Sequence, residues 1–284
     1  MTGRTDGVVV GYDGSPDSDL ALHWAAGEAR LREVRLTICY AWAPEYLALN
    51  IEPPLYELEQ RRGEEVLERG VRYAEPFAGP GGVGTLLASG SPARMLCERS
   101  ASADMVVAGS RGHGRLAGLL LGSVAWQLAQ HGRGRIVIVR DQPRPAGRGP
   151  APVVAGVDVS APSQAALEWA AEEAALRQVP LIAVCAMTDT APSQGGTRPM
   201  EEEFTHLVTR WEKDHPGISV VRQVTNRPAR TALLDAAADA QMLILGSRGR
   251  GGIPGMTVGS VTSAVLHHAT CPVGIVRPAV SWQS

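Results

Sequence analysis

The sequence predicts an α/β protein built from two tandem, doubly wound parallel-sheet domains of Rossmann-like type, and three observations carry that expectation. The chain is written twice, short valine-rich runs alternate with helical patterns in both copies, and one glycine spacing recurs after a strand in each. The repeat comes first, because internal self-similarity fixes the organisation before any element is assigned. VVVGYDGSPDSDLALHWAAGEARLREVRLTICYAW is matched by VVAGVDVSAPSQAALEWAAEEAALRQVPLIAVCAM, which pairs Asp13 with Asp158, Ser15 with Ser160, Trp24 with Trp169 and Glu28 with Glu173. Later, SPARMLCERSASADMVVAGSRGHG is matched by RPARTALLDAAADAQMLILGSRGRG, and both continue into a second strand ending in Ile-Val-Arg.

Taken in order, residues 7–13 form a short apolar run that predicts a strand. Ser15-Pro16 then offers an N-cap followed by proline in the first turn, and Leu20, Trp24, Ala25 and Leu31 recur at helical spacing. Residues 35–42, 83–89, 104–109 and 135–140 read as further strands, with helices near 57–73, 92–100 and 122–131. The first copy carries an insertion with paired prolines, PEYLALNIEPP, expected to be an extended surface excursion leading into the 57–73 helix. Strands alternating with helices imply a parallel sheet covered on both faces, with ligands outside the carboxyl ends of the strands. The segment DQPRPAGRGP, rich in Pro, Gly and Arg, reads as a linker, so the domains are expected at 1–141 and 150–284.

Composition narrows the function. The chain has 284 residues and a formal net charge of -2, which argues against a general nucleic-acid binder. It lacks the roughly 20 consecutive apolar residues of a membrane span and reads as cytoplasmic, without a signal peptide. Cys39, Cys97, Cys185 and Cys271 are scattered, with no C-x-x-C pair, and Cys39 and Cys185 read as buried thiols. Lys213 is the only lysine, so a Walker-type loop with its G-K-[ST] is excluded.

The chemistry is expected in the loop GSRGHGRLAGLLLGS. Its glycines fall as Gly109, two residues, Gly112, nine residues, then Gly122-Ser123, and Gly246, Gly249 and Gly259-Ser260 repeat that spacing. A strand end, a glycine-rich turn and re-entry onto a helix N-terminus suit a phosphate: the glycines admit close backbone approach and positive φ, and the helix end offers unpaired N–H groups. A flexible loop with nothing bound is the plain alternative, which the duplicated spacing disfavours. G-x-x-G, nine residues, then G-[ST] resembles the nucleotide signature of the ATP-binding branch of the universal stress protein family, and the likeness covers nearly the whole chain as two domains.

The resemblance implies that Asp13 and Asp158 face the adenosine of ATP, that Ala41 and Ala186 pack beside the base, and that the loop glycines, Ser123, Ser260, Val124 and Val261 take the triphosphate. Arg111 and Arg248 match between copies and suit phosphate charge, or are loop surface residues; Asp13 is alternatively a helix-capping or turn residue. Magnesium would be held mainly by the phosphates. The copies depart at Gly14 and Val159, at His113 and Arg250, and at Pro254. His113, with arginine as its counterpart, is a poor general base, so a nucleotide-binding stress regulator or sensor acting on a downstream protein partner is favoured over an enzyme. A slow ATPase or other ATP-dependent enzyme, and a nucleotide-independent interaction module, remain the rival readings. The terminal strands are expected at sheet edges, and the resemblance implies that such edges pair, within the chain as a pseudo-dimer or between chains as a homodimer.

Overall fold

The computed structural model describes residues 6–42, 53–113, 121–140, 151–187, 197–250 and 257–277. The chain divides into two compact units, Met1–Arg140 and Asp141–Ser284. The first unit runs β1 (Val8–Gly11), α1 (Pro16–Arg32), β2 (Leu36–Trp42), α2 (Pro53–Ala74), β3 (Val83–Ser89), α3 (Pro92–Arg99), β4 (Met105–Gly109), α4 (Ser123–His131) and β5 (Gly134–Val139). The second runs β6 (Val153–Gly156), α5 (Ala161–Arg177), β7 (Leu181–Ala186), α6 (Thr197–Asp214), β8 (Val220–Thr225), α7 (Ala229–Ala237), β9 (Met242–Gly246), α8 (Ser260–His268) and β10 (Val273–Arg277).

Every strand pairing within a unit is parallel. The first unit has the order β3-β2-β1-β4-β5, and the second repeats it as β8-β7-β6-β9-β10. In each, the chain winds one way from the first strand and the other way from the fourth, so the switch point falls between β1 and β4 and between β6 and β9. Val8, Val9 and Val10 of β1 and Val106 and Val107 of β4 are wholly buried, as central strands of a two-sided parallel sheet must be.

Local sequence explains the helix that follows each first strand. Ser15 caps α1 by accepting from the Ser18 N–H, Pro16 occupies the first turn, and Glu33 closes the helix with φ 55. Ala21, Ala25, Ala26 and Ala29 are wholly buried, and their small side chains let α1 lie close on the sheet. The paired prolines begin α2 rather than preceding it: the helix starts at Pro53, four residues before the expected 57, because proline is tolerated where a helix has no N–H partner to lose. The expected excursion at 43–52 and the linker at 141–150 lie outside the described residues. Among those described, no helix is long and apolar enough to cross a membrane.

Candidate functional site

The switch point brings the loop after the first strand against the loop after the fourth. Asp13 joins them: its Oδ1 accepts from the Ser15 N–H at 3.0 Å and its Oδ2 from the His113 N–H at 3.1 Å. Burial pushes the carboxyl upward, but the bonds from Ser15 and from the His113 backbone outweigh it, and Asp13 stays below the usual carboxylate range. The second unit repeats the arrangement. Asp158 accepts from the Ser160 N–H at 3.1 Å and hydroxyl, and from the Arg250 N–H at 2.7 Å. The helix cap is Ser15, so Asp13 is a loop-tying residue rather than a capping one.

Of the two properties expected of the loop glycines, the six described at the strand ends and helix starts show close approach and not positive φ. None of Gly109, Gly112, Gly122, Gly246, Gly249 and Gly259 has positive φ. A Cβ on Gly112 would lie 2.5 Å from Asp13 Oδ2, and one on Gly249 would lie 2.2 Å from Asp158 Oδ2. Gly109 and Gly246 touch the first turns of α1 and α5: an added Cβ would come within 2.6 Å of the Asp17 carbonyl oxygen and 2.7 Å of Pro162. Gly122 returns to the strand end by donating to the Ser110 carbonyl at 2.8 Å, and Gly259 to that of Ser247 at 2.9 Å. The middle of each loop, 114–120 and 251–256 with Pro254, lies outside the described residues.

Gly122 and Gly259 are the N-caps of α4 and α8, and neither helix has a side-chain cap bond. Glycine supplies no capping oxygen, so the first N–H groups of both helices are left for another acceptor. Ser123 and Ser260 are the first helical residues, and Val124 and Val261 the second.

In the second unit these parts enclose a cavity of about 550 Å³. Asp158, Ala186, Gly246, Arg248, Gly249, Gly259, Ser260 and Val261 all line it, so the residues singled out in the second copy converge on one site. The sequence reading missed Met200, Arg230, Leu233 and Thr262, which complete the wall. The Pro-Ala-Arg triplet at 92–94 and 228–230 was the available signal for Arg230; Met200 comes from α6, whose approach only the fold decides. In the first unit Ala41 lies in β2 and pairs with Ala88 of β3, on the same carboxyl edge as Asp13 and Gly109.

The two units hold their loops by different means. Gly14, with φ +80, is followed in the fold by Arg69 of α2, whose guanidinium donates to the Gly14 carbonyl and, at 3.0 Å, to the Tyr12 hydroxyl. Tyr12 in turn donates to Asp19 at 2.7 Å, and burial helps push its phenol up to about 12. The second unit has Val159 at φ +67, and Gln164 donates to its carbonyl at 2.9 Å. Arg111 has a protein partner: its Nε donates to Asp17 at 3.2 Å, and the Ser110 hydroxyl donates to the same oxygen at 2.8 Å. His113 lies with Nε2 3.0 Å from the Asp13 carbonyl oxygen, which can only accept, so that nitrogen carries the proton and the ring is tied to the backbone. Cys39 and Cys185 are buried, and burial pushes their thiols up to about 12 and about 11.

Comparison with known proteins agrees with this architecture. The model of the universal stress protein family matches residues 5–140 and again 151–277. A universal stress protein of Mycolicibacterium smegmatis is 34% identical, covering 96% of this chain and 97% of the relative. Universal stress protein Rv2623 of Mycobacterium tuberculosis is 33% identical, with 97% of each chain covered. The crystal structure of a universal stress protein from Archaeoglobus fulgidus shares the fold with a TM-score of 0.76, at 18% identity, covering 98% of this chain and 100% of that one.

Proposed function

We propose, from the premise that this chain belongs to the universal stress protein family, that it is an adenine-nucleotide-binding regulator of a stress response, with ATP held at the strand-end loops and not turned over as an enzyme's substrate. The observation that carries the reading is the second-unit cavity, where an uncapped helix N-terminus, glycines and an arginine surround one space beside Asp158. Its volume falls within the range of small-molecule sites. The α8 N–H groups, Ser260 and Arg248 suit phosphate oxygens, while Val184, Ala186 and Met200 offer an apolar wall to a base. Asp158 Oδ2 takes one N–H and has a further lone pair to offer, whereas Oδ1 already takes two groups from Ser160. An adenine amino group or ribose hydroxyl therefore suits Oδ2.

Two observations support binding without chemistry. Hydrolysis needs a group that orients water. His113 is tied to Asp13 through Nε2, and its counterpart Arg250 pairs with Glu203 at 3.1 Å. Magnesium, in this reading, is held mainly by the phosphates. Equilibrium dialysis of the purified chain with ATP and AMP, with nucleotide products assayed in the same samples, tests the reading. Saturable ATP binding without matching ADP release is expected. No binding at millimolar ATP overturns it, and multiple turnovers per chain overturn its non-enzymatic part.

A further inference from the structure

The two copies of the Pro-Ala-Arg triplet and of the Ser-Arg-Gly loop put an arginine pair at matched positions of the two units, yet the pairs have different partners. In the first unit Arg111 is held by Asp17, a carboxylate only 8% exposed that also accepts from Ser110. Arg94 donates to Glu98, one helical turn on, at 2.8 Å. In the second unit the position of Asp17 is taken by Pro162: Gly246 abuts Pro162 as Gly109 abuts Asp17. The residue four beyond Arg230 is Leu234, which offers no charge. Among the described residues neither the Arg230 nor the Arg248 side chain has a hydrogen bond or ion pair, and both residues line the second cavity.

We infer that the second unit is the tighter, polyphosphate-selective site, with Arg230 and Arg248 its specificity-determining residues, and that Asp17 weakens the first by occupying Arg111. This inference rests on the nucleotide reading above. Asp17 takes the Nε donor of Arg111 and offsets its charge, so a phosphate gains less from the donors that remain than from a guanidinium facing no carboxylate. Each further phosphate on the ligand therefore gains more at the second site than at the first, so the preference for ATP over AMP is steeper there. The Arg94–Glu98 pair is exposed and weak by itself. The buried Asp17 makes the larger difference.

Calorimetric titration of the full chain with ATP, ADP and AMP at fixed ionic strength tests this. Wild type should show a tight class of site whose affinity falls from ATP to AMP. Arg230→Gln with Arg248→Gln should weaken that class for ATP by about tenfold or more and affect AMP much less. Both arginines are exposed, so the fold should tolerate the changes. Asp17→Asn should tighten the weak class for ATP and leave the tight class alone. Two equal classes in wild type, or ATP affinity unchanged in the double variant, would overturn the inference while leaving nucleotide binding standing. Absence of any ATP binding to wild type would overturn the nucleotide reading itself and this inference with it.

Discussion

Gly112 and Gly249 lie beside the carboxylates that tie each unit's two loops together. Any side chain there displaces Asp13 or Asp158 before it meets a ligand, since the added Cβ would come within 2.5 or 2.2 Å of an oxygen. Gly249→Val should therefore cost both stability and ATP affinity in the second unit, with affinity down by about tenfold or more; dialysis with normal affinity would mean that the Asp158 tie is dispensable. Val159 presents the opposite case. A β-branched residue at φ +67 stores strain on the order of 1–3 kcal/mol, against which the entropy cost of glycine is about 0.5–1 kcal/mol. Val159→Gly should thus leave urea-measured stability unchanged or raise it by about 1 kcal/mol. Its mirror, Gly14→Val, should lower stability, because φ is +80 there and a Cβ would meet the Arg69 guanidinium at 2.3 Å. Equal losses in both variants would refute the strain argument.

Helices α1 and α5 look alike in sequence but settle differently on their sheets. Trp169 is 1% exposed, its indole N–H donates to Glu173 at 2.6 Å, and its ring sits over Gly274 of β10. The equivalent position in β5 is Val137, wholly buried, and Trp24 of α1 is only partly buried. The absence of a side chain on one strand thus decides how deeply the paired tryptophan enters. A methyl on Gly274 would lie 2.8 Å from the Trp169 ring, which the Glu173 bond keeps from retreating. Gly274→Ala should therefore cost about 1–3 kcal/mol of stability. A thermal melt equal to wild type would show that the ring can move aside at little cost.

At the scale of the chain, each unit places its site at the switch point of its own sheet, and the family match covers both units. A ligand that binds only the folded state stabilises it by about 2.7 kcal/mol at one hundred times its Kd. For units of this size that is a rise in Tm of roughly 5–10 °C. Saturating ATP should produce such a shift in scanning calorimetry, and GTP a smaller one if the Asp158 carboxylate selects the adenine amino group. Equal shifts with both would place recognition in the phosphates alone.

The alternation of strands and helices, the duplication, and the glycine spacing were legible along the chain because each is a local or periodic property of neighbouring residues. Ser15 as a cap followed from that pattern, and the order of strands it implies put the Asp13 and Gly109 strand ends on one edge. Which side chain holds which loop was not legible. Asp13 reaches His113 across 100 positions, Arg111 reaches Asp17 across 94, and Arg69 reaches Tyr12 across 57. Those partners are set by which strand ends adjoin and how closely α1 and α2 lie over them, and no periodicity records that. The sequence determined that there are two loops of one design. The tertiary structure decided that one loop arginine is already paired with a carboxylate and that its counterpart is not, because a single position at the start of α1 and α5 carries aspartate in one unit and proline in the other.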